Sequence, residues 1–399
     1  MKVLQINSVC GTGSTGRIAT DIHSLLKQQG YESWIAFGRG DAINCEKTIK
    51  IGNKIDNYIH VAKTRMLDQH GFSSTRATKE LIRKIEKINP DVIHLHNIHG
   101  YYINVEILFK YLKIADKKVV WTLHDCWAFT GHCAYFDYVG CDCWKLDGDN
   151  KCIQPGSYPA SWGINNSKNN FRRKKIAFTG VKDLTIVTPS IWLAELVKES
   201  FLSEYPVKVI NNGINLENFK PTIGNFKVKN QINDKFIILG VASVWEKRKG
   251  LEFFLELSKK ISSDKSIVLV GISNEQKKVL PDNIIAIERT NSVKELAEIY
   301  SSANVFVNPT LEDNFPTTNI EALACGTPVI TFDTGGSPES VRDKNFVIEK
   351  ENVEELYKVI KSIQKSEFNR KEYRDYSLQF DKNSKFKEYI KCYKGDEKN

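Results

Sequence analysis

In the stretch PTLEDNFPTTNIEALACGTPVI, from Pro309 to Ile330, two carboxylates stand eight positions apart, Asp313 in a Pro-containing turn and Glu321 within the helical pattern that follows. An apolar strand pattern, Val305 to Asn308, leads into that turn. A ligand with hydroxyls at both ends and phosphates between asks for this pattern: one acceptor for sugar hydroxyls, one for ribose hydroxyls, and loop amides facing the diphosphate. Asn314, Phe315, Pro316, Thr317 and Thr318 make up that intervening turn. A capped surface helix would show the same acid pair, but the carboxyl end of a strand is where open α/β sheets bind ligands. Arg248 and Lys249 follow a second apolar run that ends near Ala242, which puts two cations at the same carboxyl edge. A solvated turn before Gly250 is the other reading of that pair.

A second candidate lies at the start of the chain. Gly11, Gly13 and Gly16 form G-x-G-x-x-G after the strand pattern KVLQINSV, a spacing that lets backbone amides approach a phosphate at a helix N-terminus. The second strand ends in Gly38 and Arg39 instead of the acid that would hold an NAD ribose. Arg39 leaves open an NADP-dependent oxidoreductase. A P-loop is excluded, because Arg17 and Ile18 follow Gly16 where Lys and Ser or Thr are needed.

His124 closes the buried-looking strand VVWTL and is either a core histidine or a donor to a sugar hydroxyl or phosphate oxygen. His94 and His96 share one face of a strand, but His99 lies past it in the loop NIHGYY and no carboxylate completes a metal site. Expected there is an acceptor-side loop, not a metal. Cys133, Cys141, Cys143 and Cys152 crowd a Gly- and aromatic-rich segment with no period; four thiolates can hold zinc, although Cys-x-Cys is not the usual knuckle and Cys126 competes. Buried thiols are the alternative.

These residues need a scaffold of alternating strands and helices. Strand patterns at the N-terminus, Trp34 to Phe37, Asp91 to Leu95, Val119 to Leu123 and Leu184 to Val187 alternate with helical ones, and a second series runs from Phe236 to Phe332. That is α/β architecture with parallel sheets, twice over. At 399 residues two domains are expected: residues 1–210 with a cysteine-rich loop at about 126–167, residues 211–375, and a last helical segment, Glu367 to Lys391, assigned from 376 to a helix returning to the first domain. Only the final GDEKN reads as disordered.

The N-terminal Gly-rich loop, TLHD with His124, NNG at Asn211 to Gly213, RKG at Arg248 to Gly250 and EALACGTPVI from Glu321 together resemble glycosyltransferase family 4 over nearly the whole chain. The likeness is to enzymes of bacterial capsule, O-antigen and exopolysaccharide assembly, where EDNFP also occurs. It implies a GT-B fold, with two Rossmann-like domains facing across a cleft and the C-terminal helix packing back on the first domain. It implies a retaining transfer from a nucleotide-sugar, UDP-sugar first, to a glycan or polyprenyl-linked acceptor. Attack is on the front face, and the diphosphate held by Arg248 and Lys249 helps to take the acceptor proton. The implied catalytic set is His124, Arg248, Lys249 and Asp313. Gly13, Gly16, Asn314 to Thr318 and Glu321, the last at the ribose position, bind the donor. No cofactor is required. Asp313 departs from the commoner glutamate at the first acidic place, with Glu312 one step off. A non-catalytic nucleotide-sugar binding protein is a further alternative.

Charge adds a partner. The formal net charge of +9 is concentrated at Arg172, Arg173, Lys174, Lys175 and along Lys79, Arg83, Lys84, Lys87. These runs are solubilising surface or a face for anionic membrane; basic and aromatic residues are not interleaved as nucleic acid would need. No window approaches a membrane span, the start lacks the basic flank of a signal peptide, and an odd count of 9 cysteines fits a reducing compartment. The expected location is the cytoplasm, at the inner face of the plasma membrane.

Overall fold

The computed structural model describes residues 1–145, 151–365 and 368–395. Residues 146–150 of the cysteine-rich loop, Glu367 at the start of the terminal segment and 396–399 of the tail lie outside the described residues. Contacts divide the chain into two compact units, one of Met1–Asn211 joined by Lys385–Asn399, the other Asn212–Ser384.

In the first unit the strands are β1 (Lys2–Asn7), β2 (Glu32–Phe37), β3 (Thr48–Lys50), β4 (Val92–Leu95), β5 (Lys118–Thr122), β6 (Leu184–Thr188) and β7 (Val207–Val209). All pair in parallel, in the order β3-β2-β1-β4-β5-β6-β7. The second unit holds β8 (Phe236–Val241), β9 (Lys265–Val270), β10 (Ile284–Ile287), β11 (Val305–Asn308), β12 (Val329–Phe332) and β13 (Val347–Ile348). These too are parallel, in the order β10-β9-β8-β11-β12-β13. The central strands are mostly apolar and buried end to end, as strands covered on both faces must be. Each sheet has one place where the strand order reverses direction, between β1 and β4 and between β8 and β11. Ligand sites of such sheets form beyond the carboxyl ends of those strands.

The terminal segment, expected as one helix, is two, Arg370–Ser377 and Lys382–Lys394. Between them the backbone is captured by Ile214, whose amide donates to the Phe380 carbonyl and whose carbonyl accepts from Lys382. Phe380 then packs with Ile214 and Phe315, so continuing the helix would remove an aromatic anchor from the core. The first helix is held in the second unit by Arg374, which donates to the carbonyls of Leu216, Phe219 and Ala324. The end of the second buries Phe386, Tyr389, Ile390 and Tyr393 against Val3, Ile22 and Val120 of the first unit. The NNG segment is explained here: a Cβ on Gly213 would lie 2.6 Å from the Lys382 Cα.

The cysteine-rich segment lacks a period because short 3-10 turns at Trp127–Phe129 and Asp137–Val139 replace regular elements. It nevertheless has its own packing, Phe129, Phe136 and Trp144 meeting at ring distances of 5.3 to 6.3 Å. One expected surface run is corrected by it. Lys174 is buried, donating to the carbonyls of Trp127 at 2.7 Å and Thr130 at 3.1 Å, and burial pulls its ammonium down to about 7. Arg173 makes a two-pronged pair with Glu106. Half of the Arg172 to Lys175 run therefore serves the fold, not a basic face.

Candidate functional site

The second unit gathers its candidate residues at the switch between β8 and β11. Arg248 and Lys249 lie in a short turn, Lys247–Lys249, closed by Gly250 at φ +76°. A Cβ on Gly250 would sit 2.2 Å from the Pro309 carbonyl oxygen, so glycine is what lets the loop after β11 lie against this turn. The two are then stitched together. The Leu311 amide donates to the Arg248 carbonyl at 2.8 Å, Arg248 Nη1 donates to the Glu312 carbonyl at 2.6 Å, and Lys249 Nζ meets Asp313 Oδ2 at 2.5 Å. From the other side Gly336 N donates to the Asp313 carbonyl at 2.9 Å. Burial alone would raise the Asp313 carboxyl, but Lys249 and then Arg248 outweigh it and hold it below the ordinary range. Asp313 is thus an ionised carboxylate beside two cations, facing the reversal point of the sheet. Glu312, one step off, is fully buried.

Glu321 lies in the helix Thr317–Ala324, where it is buried and accepts a hydrogen bond from the Tyr300 hydroxyl at 3.1 Å. Burial and the Glu321 charge push the Tyr300 hydroxyl well up, so it stays a donor. The helix start is fixed by a buried network in which Asn319 accepts from Asn308 at 2.8 Å and donates to Ser340 at 2.9 Å and Ser337 at 3.2 Å. Pro316 is its N-cap and no side chain caps it, which leaves the first-turn amides at Thr317 and Thr318 directed at the space before the helix. Phe315 has its ring buried against Phe380 in the core, so what it presents to this loop is its backbone, whose carbonyl takes the Asn212 amide at 2.9 Å.

In the first unit, Gly13 begins the helix Gly13–Gln28 at the carboxyl end of β1, at φ +62° with open space around its missing Cβ. Gly11 N donates to the Gly16 carbonyl at 3.1 Å, closing the turn. Beside it, at the ends of β4 and β5, a chain of hydrogen bonds decides the state of His124. Gln5 donates its amide to the Ala19 carbonyl at 2.9 Å, so its Oε1 faces His96 Nε2 at 3.0 Å and can only accept. Burial keeps His96 neutral, its proton is therefore on Nε2, and its Nδ1 must accept from His124 Nε2 at 3.2 Å. Burial also pulls His124 down to about 4. The His124 proton is thereby committed inward and its remaining nitrogen, Nδ1, is an acceptor. On its outward side His124 therefore offers an acceptor and has no proton to donate.

His94 takes the Tyr393 hydroxyl at 2.7 Å and faces Thr122 at 2.8 Å, while His99 faces Asp125 at 3.0 Å and Tyr158 at 3.1 Å. The three rings thus serve different partners. The four cysteines of the loop line one small cavity, with Cys133 and Cys152 sulfurs 3.5 Å apart and Cys141 and Cys143 sulfurs 3.1 Å apart. Among the described residues no group of three or more ligating side chains is placed to hold a metal ion, and no disulfide joins any of the nine cysteines. Tyr300, Gln5 and His96 as a relay, and the Asn319 network are what residue spacing missed; a tyrosine at a core position of a helix, needing a partner for its hydroxyl, was the only signal.

Comparison with known proteins decides the family. The profile of Glycosyltransferase Family 4 matches residues 15–218, and that of Glycosyl transferases group 1 matches residues 223–380. The chain belongs to glycosyltransferase family 4. Among its relatives, the Escherichia coli K12 glycosyl transferase WcaC, named for colanic acid biosynthesis, is 30% identical over 234 residues, covering 54% of this chain and 55% of that protein. The Campylobacter jejuni N,N'-diacetylbacillosaminyl-diphospho-undecaprenol alpha-1,3-N-acetylgalactosaminyltransferase is 26% identical over 217 residues, covering 50% of this chain and 57% of that protein. The chain thus spans about half the length of these curated relatives. Solved structures match throughout. Sucrose-phosphate synthase of Thermosynechococcus elongatus superposes with a TM-score of 0.71 at 15% identity over 99% of this chain and 98% of that one. Anabaena HepE in complex with UDP gives 0.68 at 14% identity over 98% of this chain and 99% of that one, within the GT-B fold. With a Glycosyltransferase Family 4 profile on one half and a Glycosyl transferases group 1 profile on the other, the oxidoreductase alternative is not favoured.

Proposed function

We propose that this family 4 member is a retaining glycosyltransferase that moves a sugar from a nucleotide-sugar, UDP-sugar first, to a glycan or polyprenyl-linked glycan in bacterial surface polysaccharide synthesis. The observation that carries this is the ionised Asp313 held against Lys249, with Arg248 clamped to the same loop, at the reversal point of the second sheet. Two cations there suit a leaving diphosphate, whose charge grows as the glycosidic bond breaks, and the first-turn amides at Thr317 and Thr318 add donors. Glu321, oriented by Tyr300, suits ribose hydroxyls; Asp313 suits sugar hydroxyls. His124, neutral and accepting through Nδ1, suits a further sugar hydroxyl. In the reaction the bond from the anomeric carbon to the phosphate oxygen breaks and the bond to the acceptor oxygen forms on the same face. The acceptor proton passes to the departing phosphate. No cofactor takes part.

The donor choice is supported by HepE, solved with UDP and with UDP-glucose, and the acceptor by the Campylobacter relative, whose name carries an undecaprenol-linked substrate. The test is a donor panel scored for nucleoside diphosphate release with a lipid-linked glycan extract as acceptor. Release from UDP-sugars that depends on the extract, with the anomeric configuration kept, is expected. Release of no nucleotide from any donor, or an inverted product, overturns the reading.

A further inference from the structure

The helix Lys54–Leu67 is built inside out. Its buried side chains are His60 and Thr64, both polar, whereas its outward positions carry Ile55, Tyr58, Ile59, Ala62 and Met66. That spacing is the apolar stripe of an amphipathic helix, turned toward solvent. The inversion has a local cause: His60 is fixed inward by Ser74 at 2.8 Å and by the Gly71 amide at 3.1 Å, and the Thr64 hydroxyl returns to the His60 carbonyl. Exposure is 68% at Ile55, 72% at Tyr58 and 58% at Met66, and Trp162 beside the helix end reaches 79%.

Trp162 is held there. Its amide donates to the Arg65 carbonyl at 2.7 Å, Ile164 donates to the Met66 carbonyl at 3.2 Å, and Arg65 returns a bond to the Ala160 carbonyl at 2.6 Å while its guanidinium lies over the Trp162 ring at 5.1 Å. A Cβ on Gly163 would come within 2.6 Å of the Met66 carbonyl, so glycine allows the close seat. The result is one ordered patch of Ile, Tyr, Met and Trp side chains with Lys54, Lys63 and Arg65 among them. Its acid is Asp56, which closes the capping box with Asn53.

We infer that this face of the first unit seats on an anionic lipid surface, with the apolar stripe in the headgroup boundary and the three cations among the headgroups. Aromatic and aliphatic residues on an ordered helix with basic neighbours are the composition of an interfacial anchor. A second copy of this chain is a poorer occupant, because a two-fold contact sets a patch against itself and would bring Lys54, Lys63 and Arg65 toward their own copies. The inference deepens the membrane-held acceptor reading in the proposed function, but its chemistry does not depend on that acceptor. It also moves the contact away from the Arg172 to Lys175 run.

The test is co-sedimentation of the full chain with vesicles of phosphatidylcholine alone and of phosphatidylcholine with phosphatidylglycerol. The variants are the triple Ile55→Ser, Tyr58→Ser, Ile59→Ser, the single Trp162→Ser, and a control changing Lys79, Arg83, Lys84 and Lys87 to Ser. Wild type is expected to bind the anionic vesicles, and the triple variant to lose at least about tenfold in partitioning, since three exposed apolar side chains no longer enter the boundary. Trp162→Ser loses less, and the control stays within about twofold of wild type. All the substituted groups point to solvent, and unchanged circular dichroism shows that each variant folds. Equal binding by the triple variant, loss in the control alone, no binding by wild type, or a dimer that the triple variant abolishes without vesicle binding overturns the inference. Nucleotide release with a soluble acceptor, measured separately, reports on the transferase reading by itself.

Discussion

The two units use the same strand arrangement and prepare its carboxyl edge with opposite chemistry. All eight histidines of the chain lie in the first unit, and Asn212 to Ser384 holds none. In the first unit the histidines at the ends of β4 and β5 are polar but uncharged, with Asp125 beside them the acid: His94, His96 and His124 are kept neutral by burial and joined through Gln5, Thr122 and Tyr393. In the second it is charged, with Lys249 on Asp313 and Arg248 alongside. Neutral, directional groups discriminate hydroxyls; paired charges bind and stabilise a dianion. One sheet topology thus suits the uncharged part of a reaction or its charged part according to what the loops after the switch strands carry.

The comparison breaks first at Lys249 and Arg248. Replacing either with Ala should lower kcat on the order of 100-fold or more, because phosphate charge peaks in the transition state. Donor KM should change less. Lys249→Ala also strips the partner from a buried carboxylate, so the melting temperature is to be followed alongside, with Asp313→Asn in the Lys249→Ala background restoring stability but not turnover. Normal turnover in both single variants would remove the diphosphate role.

Next in size is the ribose end. Losing a charge-assisted hydrogen bond costs about 1.5 to 3 kcal/mol, so Glu321→Ala should weaken nucleoside diphosphate binding by roughly 10- to 150-fold in calorimetry. Tyr300→Phe keeps the carboxylate and removes only its orienting donor at 3.1 Å, so it should produce a smaller loss in the same direction. Affinity unchanged in Glu321→Ala would detach this glutamate from the donor, and a Tyr300→Phe loss larger than that of Glu321→Ala would make the tyrosine, not the acid, the contact.

How much of this could be read from residue order follows the same divide. The charged edge was legible: RKG and EDNFP each follow a recognisable apolar strand, β8 and β11, so that although Lys249 and Asp313 are 64 positions apart the carboxyl ends of those strands place them at one sheet edge, with EALACG in the helix after EDNFP. The neutral edge was not. Gln5 and His96 are 91 positions apart and His94 and Tyr393 are 299 apart, so only the fold reveals that they meet. The central strands were readable from their apolar runs, but β3, β7 and β13, two or three residues long at or near the edges, carry too little pattern to stand out. Lys174 misled for a related reason: charge in a run reads as surface, and nothing local announces that two carbonyls and the Trp127 face await it. Phe315 is the reverse case, a core anchor placed inside a ligand loop.

Acidification should sharpen the contrast. Burial lowers His60 to about 3 and His124 to about 4, and puts His70, His94 and His96 well below their ordinary value. Unfolded histidines take up protons near about pH 6.5. Between there and the folded values the unfolded chain binds more protons, so stability rises with pH and is lost as pH falls from 7 to 5. His132 works the other way: burial lowers it, but the bond to Asp68 outweighs that and raises it, so its contribution is present at low pH and fades as pH rises. His23 is lowered by burial as well, so with six against one the first unit should loosen. The second has no histidine and its Asp313 pair is lost only below the ordinary carboxylate range. Hydrogen exchange followed by mass spectrometry at pH 7 and pH 5, corrected for intrinsic rate, should show protection falling in β4 and β5 and holding in β8 and β11. Equal loss in both units would mean that the neutral histidines are not what distinguishes them.

The smallest expected effect is none at all, and it tests the charged edge from the other side. If Lys249 and Arg248 supply the positive charge that the leaving diphosphate needs, a divalent ion adds little, and turnover should be unchanged after exhaustive EDTA treatment and gel filtration. A divalent ion bridging the phosphates would compete for the same oxygens and would draw Asp313 away from Lys249, whose ammonium it meets at 2.5 Å. Prompt loss of activity restored by magnesium or manganese would therefore show that the two cations are insufficient. A slow loss restored only by zinc carries a different meaning. It would leave the charged edge intact and point to the first unit, where the Cys133, Cys141, Cys143 and Cys152 sulfurs surround one small cavity, and it would be accompanied by a lower melting temperature instead of a changed KM for donor. Replacing Cys143, the least buried of the four, with Ser separates these outcomes: it should leave EDTA-treated and untreated enzyme equally active if no zinc is held there.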